Sequence, residues 1–321
     1  MKRMLSSIVL AMILFCSNLP QALAAQVLVP GGELVGLELV NEAVTVAAFD
    51  DTCSAGREGG LQIGDQILSI DGKAVHSAAD VRQALKNCPD RVEITLLRGS
   101  RREKVTIRPE KKGTEGRLGV YLRQGIAGVG TITFFDPDTG RFGTLGHGVS
   151  DPGGGLLTMK SGTLCPAAVA SVKKGKAGDP GQLRGNAQPE TVLGTIEKNT
   201  PQGVFGTCGR VFSGTPLPTA DFSEVKTGPA TIRSTVEGDR VREYSVEILK
   251  IYPKDRPDCR NFLLKVTDPD LLKATGGIVQ GMSGSPIIQD GKLVGAVTHV
   301  LVNDPTRGYG IFIENMLDAA G

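Results

Sequence analysis

The sequence predicts a mostly β protein, built as two folded units behind a short N-terminal leader. Three observations carry that expectation. The chain has 321 residues, more than one small core organises. Its 43 glycines and paired turn residues cut it into short apolar runs. Only residues 77–87 and 314–320 read as helices, and no heptad pattern occurs.

The leader comes first. Residues 1–25 read as a signal peptide. Lys2 and Arg3 open it, an apolar run follows to Phe15, and Ala22-Leu23-Ala24 supplies small residues for cleavage. The run is short for a bilayer span, so a retained anchor is the second reading. Without Lys2 and Arg3 the 36 basic residues become 34, matching the 34 acidic ones. A neutral chain gives no electrostatic case for nucleic acid as a partner. Cys53, Cys88, Cys165, Cys208 and Cys259 are scattered without a CxxC pair, so neither a metal nor a redox centre is expected. Cys53 and Cys88 are close enough in sequence to pair, or stay as buried thiols.

The first unit is placed at residues 31–112. Strands are expected at 35–39 and 44–49. In GLQIGDQILSIDGKAV, Gly64-Asp65 and Asp71-Gly72 bracket a strand at 66–70. His76 precedes the helix at 77–87 as a surface residue, and strands at 92–97 and 104–108 complete the unit. This stretch resembles a PDZ domain. The resemblance implies a groove that takes extended peptide segments by strand addition beside the helix. It puts Gly36, Leu37, Glu38 and Leu39 on the binding strand. Residues 111–116 are polar and contain glycine, which suits a linker. A separate first unit predicts that a fragment starting near Gly116 stands alone.

The second unit is placed at residues 116–321. Residues 131–135 and 141–145 read as a hairpin around Asp136-Pro137-Asp138-Thr139-Gly140. Residues 173–188 lack an apolar period and read as an exposed loop, and 200–218 as another. Strands at 285–289 and 292–302 flank the two-residue turn Asp290-Gly291. A loop, a strand at 309–313 and the terminal helix follow.

The chemistry concentrates in Gly281-Met282-Ser283-Gly284-Ser285-Pro286. A nucleophilic serine needs an exposed hydroxyl and backbone amides aimed at the developing oxyanion, which small neighbours permit. The bland alternative is a plain turn before a strand. The hexapeptide resembles the nucleophile loop of chymotrypsin-like peptidases, which implies a double β-barrel and an oxyanion hole from the amides of Gly281 and Ser283. It is not the α/β-hydrolase elbow, since Ser285 stands where that pattern needs glycine.

A serine needs a base. His147, between glycines at a strand end, is the candidate. His299 lies in the penultimate strand, and by the same resemblance Thr298 and His299 border the substrate. Eight aspartates separate His147 from Ser283: Asp151, Asp179, Asp221, Asp239, Asp255, Asp258, Asp268 and Asp270. Spacing alone does not choose among them.

GTLGHGVSD, VTDPDLL and GMSGSPIIQDGKLVGAVTHVLVNDPTRGYGIFIENML then resemble the stage IV sporulation protein B family of bacterial serine peptidases. The resemblance implies a triad of His147, Asp268 and Ser283, with Asp270 as the alternative acid, and no cofactor. It implies export into the intermembrane space of the forespore. There the enzyme would cut the extracytoplasmic part of a membrane regulator, and itself, in signalling that leads to sigma-factor activation. Two other readings stay open: a PDZ adaptor with an inactive peptidase fold, and a general envelope quality-control protease.

Overall fold

Strand follows strand along almost the whole chain. The structure, a computed structural model, describes residues 26–87, 89–151, 154–210, 212 and 214–321. The expected leader at 1–25 and the pairing of Cys88 lie outside the described residues. In chain order the strands are β1 (Val27–Pro30), β2 (Leu34–Phe49), β3 (Gln66–Ile70), β4 (Lys73–Ala74), β5 (Val92–Arg98), β6 (Arg101–Ile107) and β7 (Glu110–Lys112). Next come β8 (Glu115–Arg117), β9 (Val120–Phe135), β10 (Arg141–Thr144), β11 (Met159–Lys173), β12 (Gln182–Ala187), β13 (Gly194–Thr200) and β14 (Gly203–Cys208). The last are β15 (Leu217–Pro218), β16 (Gly228–Thr235), β17 (Val241–Ile251), β18 (Phe262–Val266), β19 (Pro286–Gln289), β20 (Lys292–Leu301) and β21 (Asp304–Phe312). Helices α1 (Ala55–Glu58), α2 (Ala78–Ala84), α3 (Pro269–Thr275) and α4 (Ile313–Ala320) punctuate them.

Two six-stranded barrels form the body. The first closes in the order β2, β9, β10, β14, β13, β11 and back to β2. The second closes as β16, β17, β18, β21, β20, β19. Local sequence explains several joints. Asp290 and Gly291 both have positive φ, 52° and 75°, as a type I′ turn requires, and they set Gln289 opposite Lys292. Ser77 caps α2 by accepting from the Asp80 amide. Leu37, Ile132, Phe142 and Val204 fill the first barrel. Ile232, Phe262, Ile287 and Val297 fill the second. At the seam, Leu28, Phe134 and Phe205 meet Leu293 and Ile311, and α4 covers them with Ile313 and Met316. Burying each such side chain contributes roughly 1.5–3 kcal/mol.

The first unit is threaded into the first barrel rather than placed ahead of it. β2 and β9 run side by side from Leu34 opposite Thr131 to Phe49 opposite Val120. Their barrel ends pair through Val40 and Gly125. Past a bulge, where Asn41 accepts from the Ala43 amide, Val44 and Thr45 pair with β3. The two strands expected at 35–39 and 44–49 are therefore one. Gly36, Leu37, Glu38 and Leu39 do not form a peptide-binding edge. Leu39 lies opposite Gly162 of β11 on one side and Ile126 of β9 on the other. With both edges hydrogen-bonded, no unpaired backbone remains for strand addition. The expected linker is the hairpin β7–β8, docked to the end of α2 by the Gly116 amide on the Leu85 carbonyl. The loop at 173–188 contains β12, and the stretch at 200–218 contains β14.

A fragment starting near Gly116 loses β2 and opens the first barrel along β9 and β11. We expect it to aggregate on refolding while the full-length chain does not. Size-exclusion chromatography of the two in parallel decides this, and a monomeric, folded fragment would contradict it.

Candidate active site

The loop 280–285 crosses from α3 to β19 and is fastened to the first barrel. The Thr131 amide donates to the Ser283 carbonyl at 3.0 Å. The hydroxyls of Thr131 and Thr133 donate to the carbonyls of Gly281 and Gly284, each at 2.8 Å. Fully buried Met282 anchors the loop in the second core. Gln280 is clamped on both sides by the start of β12: its amide donates to the Gly181 carbonyl at 2.9 Å and its carbonyl accepts from Leu183 at 2.8 Å. Among the described residues, the amides of Gly281 and Ser283 donate to no acceptor. Two free N–H groups this close together can hold a developing oxyanion.

His147 arrives from the other barrel. After β10, Leu145 and Gly146 are consecutively left-handed, with φ of 69° and 67°. That conformation is strained for leucine, and burial of its side chain in the first core holds it. A Cβ on Gly146 would lie 2.9 Å from a Thr298 methyl, so glycine lets the turn pack on β20. His147 Nδ1 lies 2.9 Å from the Gly148 carbonyl. A carbonyl only accepts, so Nδ1 carries the proton and Nε2 is the free base. The Asn199 side chain binds the next turn, accepting from the Val149 amide and donating to the carbonyls of Val149 and Leu157. Sequence reasoning missed Asn199, which carries no motif of its own.

The two side chains share a cleft of about 550 Å³ between the barrels, and Thr298 and His299 form part of its wall. The rings of His147 and His299 lie 4.9 Å apart at 39°. Burial pushes the His147 pKa below its ordinary value, against the pull of the Gly148 carbonyl. Burial, then the neighbouring His147 and Arg260, push His299 down to about 4. The Ser283 hydroxyl donates to the Thr298 carbonyl at 2.6 Å, not to His147. A serine hydroxyl is free to change its partner by rotating about χ1.

His299 gives a pH dependence. An unfolded histidine titrates near 6.5, and His299 in the fold near 4. Between those values the unfolded chain binds a proton that the folded chain refuses. Stability is therefore complete above the unfolded pKa and falls as pH drops toward the folded one. Urea midpoints should fall between about pH 7 and about pH 5, and fall less in His299→Gln. Equal slopes in both proteins would remove His299 from this account.

Asp268 is not brought to His147. It is the N-cap of α3: its carboxylate accepts from the Leu271 amide at 3.0 Å and from the Ser245 amide at 3.2 Å. Asp270 sits in the first turn of the same helix. Among the described residues no carboxylate hydrogen-bonds to His147, and the Gly148 carbonyl occupies the orienting position. Asparagine caps a helix as well as aspartate does, so Asp268→Asn should keep turnover within a few-fold, whereas an orienting acid would cost about 10⁴-fold. Asp268→Ala should lose about 1 kcal/mol of stability. Peptide kinetics on Asp268→Asn, with urea denaturation of both variants, separate the roles.

A second cleft of about 580 Å³ lies between α2 and the start of β9. Ala78, Val81 and Leu85 face Val120, Tyr121 and Leu122 across it. Tyr121 is 60% exposed. Gly119, with φ of 67°, leads into this strand, and a Cβ there would meet the Cys53 carbonyl at 2.0 Å. The apolar run Leu118-Gly119-Val120 was the signal for this groove. β9 then continues through Ile126 and Val129 in the first cleft to Thr131 beneath the serine loop.

Residues 114–317 match the family model described as SpoIVB peptidase S55, and residues 51–99 match a PDZ domain. A Vibrio cholerae serotype O1 protein described as "Putative zinc metalloprotease" is 30% identical over 145 residues, 45% of this chain. The match spans 30% of that relative's length. Among solved structures, the Rv3671c protease from M. tuberculosis in its active form aligns with a TM-score of 0.39 at 17% identity, covering 61% of this chain and 75% of that one. Its inactive form gives 0.37 at 15%, covering 60% and 82%.

Proposed function

The chain belongs to the SpoIVB peptidase S55 family of serine peptidases, and from that premise we propose that Ser283 is its nucleophile and His147 its general base. The observation that carries this reading is a half-buried serine and a neutral, oriented histidine sharing one cleft, beside two unengaged amides.

The Ser283 hydroxyl leaves the Thr298 carbonyl, turns to His147 Nε2 and attacks the scissile carbonyl as Nε2 takes its proton. The new oxyanion rests on the amides of Gly281 and Ser283. The imidazolium keeps its Nδ1–H on the Gly148 carbonyl, which fixes the ring and shares its charge. Nε2 then protonates the leaving amine, and the C–N bond breaks. Water, deprotonated by His147, hydrolyses the acyl-enzyme and returns the hydrogen to Ser283.

The physiological reading is an exported signalling endopeptidase. It acts in the forespore intermembrane space, with residues 1–25 as leader or anchor. There it cuts the extracytoplasmic part of a membrane regulator, and its own chain, during sporulation. Family membership supports this, as does a second cleft beside α2, lined by both apolar and charged residues, with room for an extended segment of that regulator. The test is to incubate the purified protein with the regulator's extracytoplasmic fragment and read the products by mass spectrometry. One or a few defined cuts, lost in Ser283→Ala, are expected. An intact fragment beside a Ser283 that reacts with a fluorophosphonate would refute the substrate. Indiscriminate shredding of unfolded proteins would favour a quality-control role.

A further inference from the structure

We propose that this peptidase selects uncharged, aliphatic side chains at the bond it cuts, through a cleft whose walls carry no charged residue. The inference rests on the reading of Ser283 and His147 as the reacting pair and adds the substrate class.

Charged residues make up 22% of the chain, yet among the described residues no Asp, Glu, Lys or Arg lines the cleft. The walls are aliphatic and come from both barrels. Leu37 and Leu39 of β2 and Ile126 and Val129 of β9 line it from the first, Ile278 and Val300 from the second. Among the described residues, no Phe or Tyr ring contributes a flat slot. Among the described residues, the only titratable side chains in the wall are His147 and His299. Burial lowers both, His299 to about 4 with the neighbouring His147 and Arg260 adding to the shift, so at neutral pH neither histidine brings a charge into the cleft.

The consequence follows from transfer energetics. Selecting lysine or arginine needs a carboxylate in the pocket, and selecting aspartate or glutamate needs a fixed cation. Among the described residues, the lining of this cleft offers neither. An ionised side chain entering it loses water without gaining a partner. An aliphatic side chain gains from leaving water. The volume of about 550 Å³ lies within the range of ligand-binding clefts.

The test uses the full chain and needs no known substrate. Fluorophosphonate labelling of Ser283 is timed in the presence of short peptide aldehydes that differ only in the residue next to the aldehyde. Leucine and valine aldehydes should slow labelling at concentrations at least about 10-fold lower than lysine or aspartate aldehydes. Equal or better protection by lysine or aspartate overturns the proposal. So does labelling that no aldehyde slows. If Ser283 is not labelled at all, the reaction assignment itself fails, and the specificity falls with it.

Discussion

Ser283→Ala and His147→Ala are each expected to lose about 10⁶-fold in turnover, and the double variant no more than either. Neither partner works alone: an unassisted hydroxyl is a poor nucleophile, and a base without its serine has nothing to activate. Residual turnover would come from the free amides of Gly281 and Ser283 and from substrate binding. Both variants should stay folded. Ser283 gives up one hydrogen bond to the Thr298 carbonyl, and His147 gives up its stack on His299 and one bond to Gly148. Kinetics on one peptide, with circular dichroism as control, decide. A His147→Ala enzyme keeping even a hundredth of normal turnover would remove it as the base.

Gly284→Ala carries the second large effect, on folding as well as rate. Gly284 has φ of +97°, and an added Cβ would lie 2.0 Å from the Thr131 carbonyl oxygen and 2.6 Å from the Leu145 amide. Both obstacles are backbone, so neither can swing aside. Moving Thr131 would loosen its holds on Gly281 and Ser283 together. A loss of about 3 kcal/mol or more in stability is expected. Turnover should fall about 10²-fold, because displacing catalytic atoms by about 1 Å costs that much. Gly291→Ala is the matched control: φ is +75°, and nothing lies within 4 Å of the added atom. It should lose only the strain of a left-handed alanine, about 1 kcal/mol. If urea midpoints fall equally in both variants, steric contact with the first barrel is not the cause.

The parts of the molecule legible in its sequence are those governed by near neighbours. β3 between its two turns, α2 behind Ser77 and the β19–β20 hairpin around Asp290-Gly291 stand where their signals put them. The glycines flanking Ser283 likewise encode their own φ angles. What was hidden depends on distant pairing. The gap between the strands expected at 35–39 and 44–49 is a bulge inside one 16-residue strand whose partners lie some eighty and one hundred and twenty residues downstream. β12 contributes one well-buried apolar residue, Leu183, too few to register as a period. At Asp268 a family resemblance competed with a local signal. The resemblance implied an orienting partner, whereas Asp268-Pro269 is also how a helix begins, and the structure uses it that way.

The threading of the module through β2 and β9 bears on ancestry. Joining two genes end to end leaves one chain crossing between their products, but here there are two. Val40 and Gly125, which bound the excursion, are neighbours across a sheet. A hairpin tip is where a barrel tolerates a guest, because the guest's ends need only meet. Residues 41–124 thus form a cassette with adjacent ends, in a form that could have entered an existing barrel without disturbing the order of its strands.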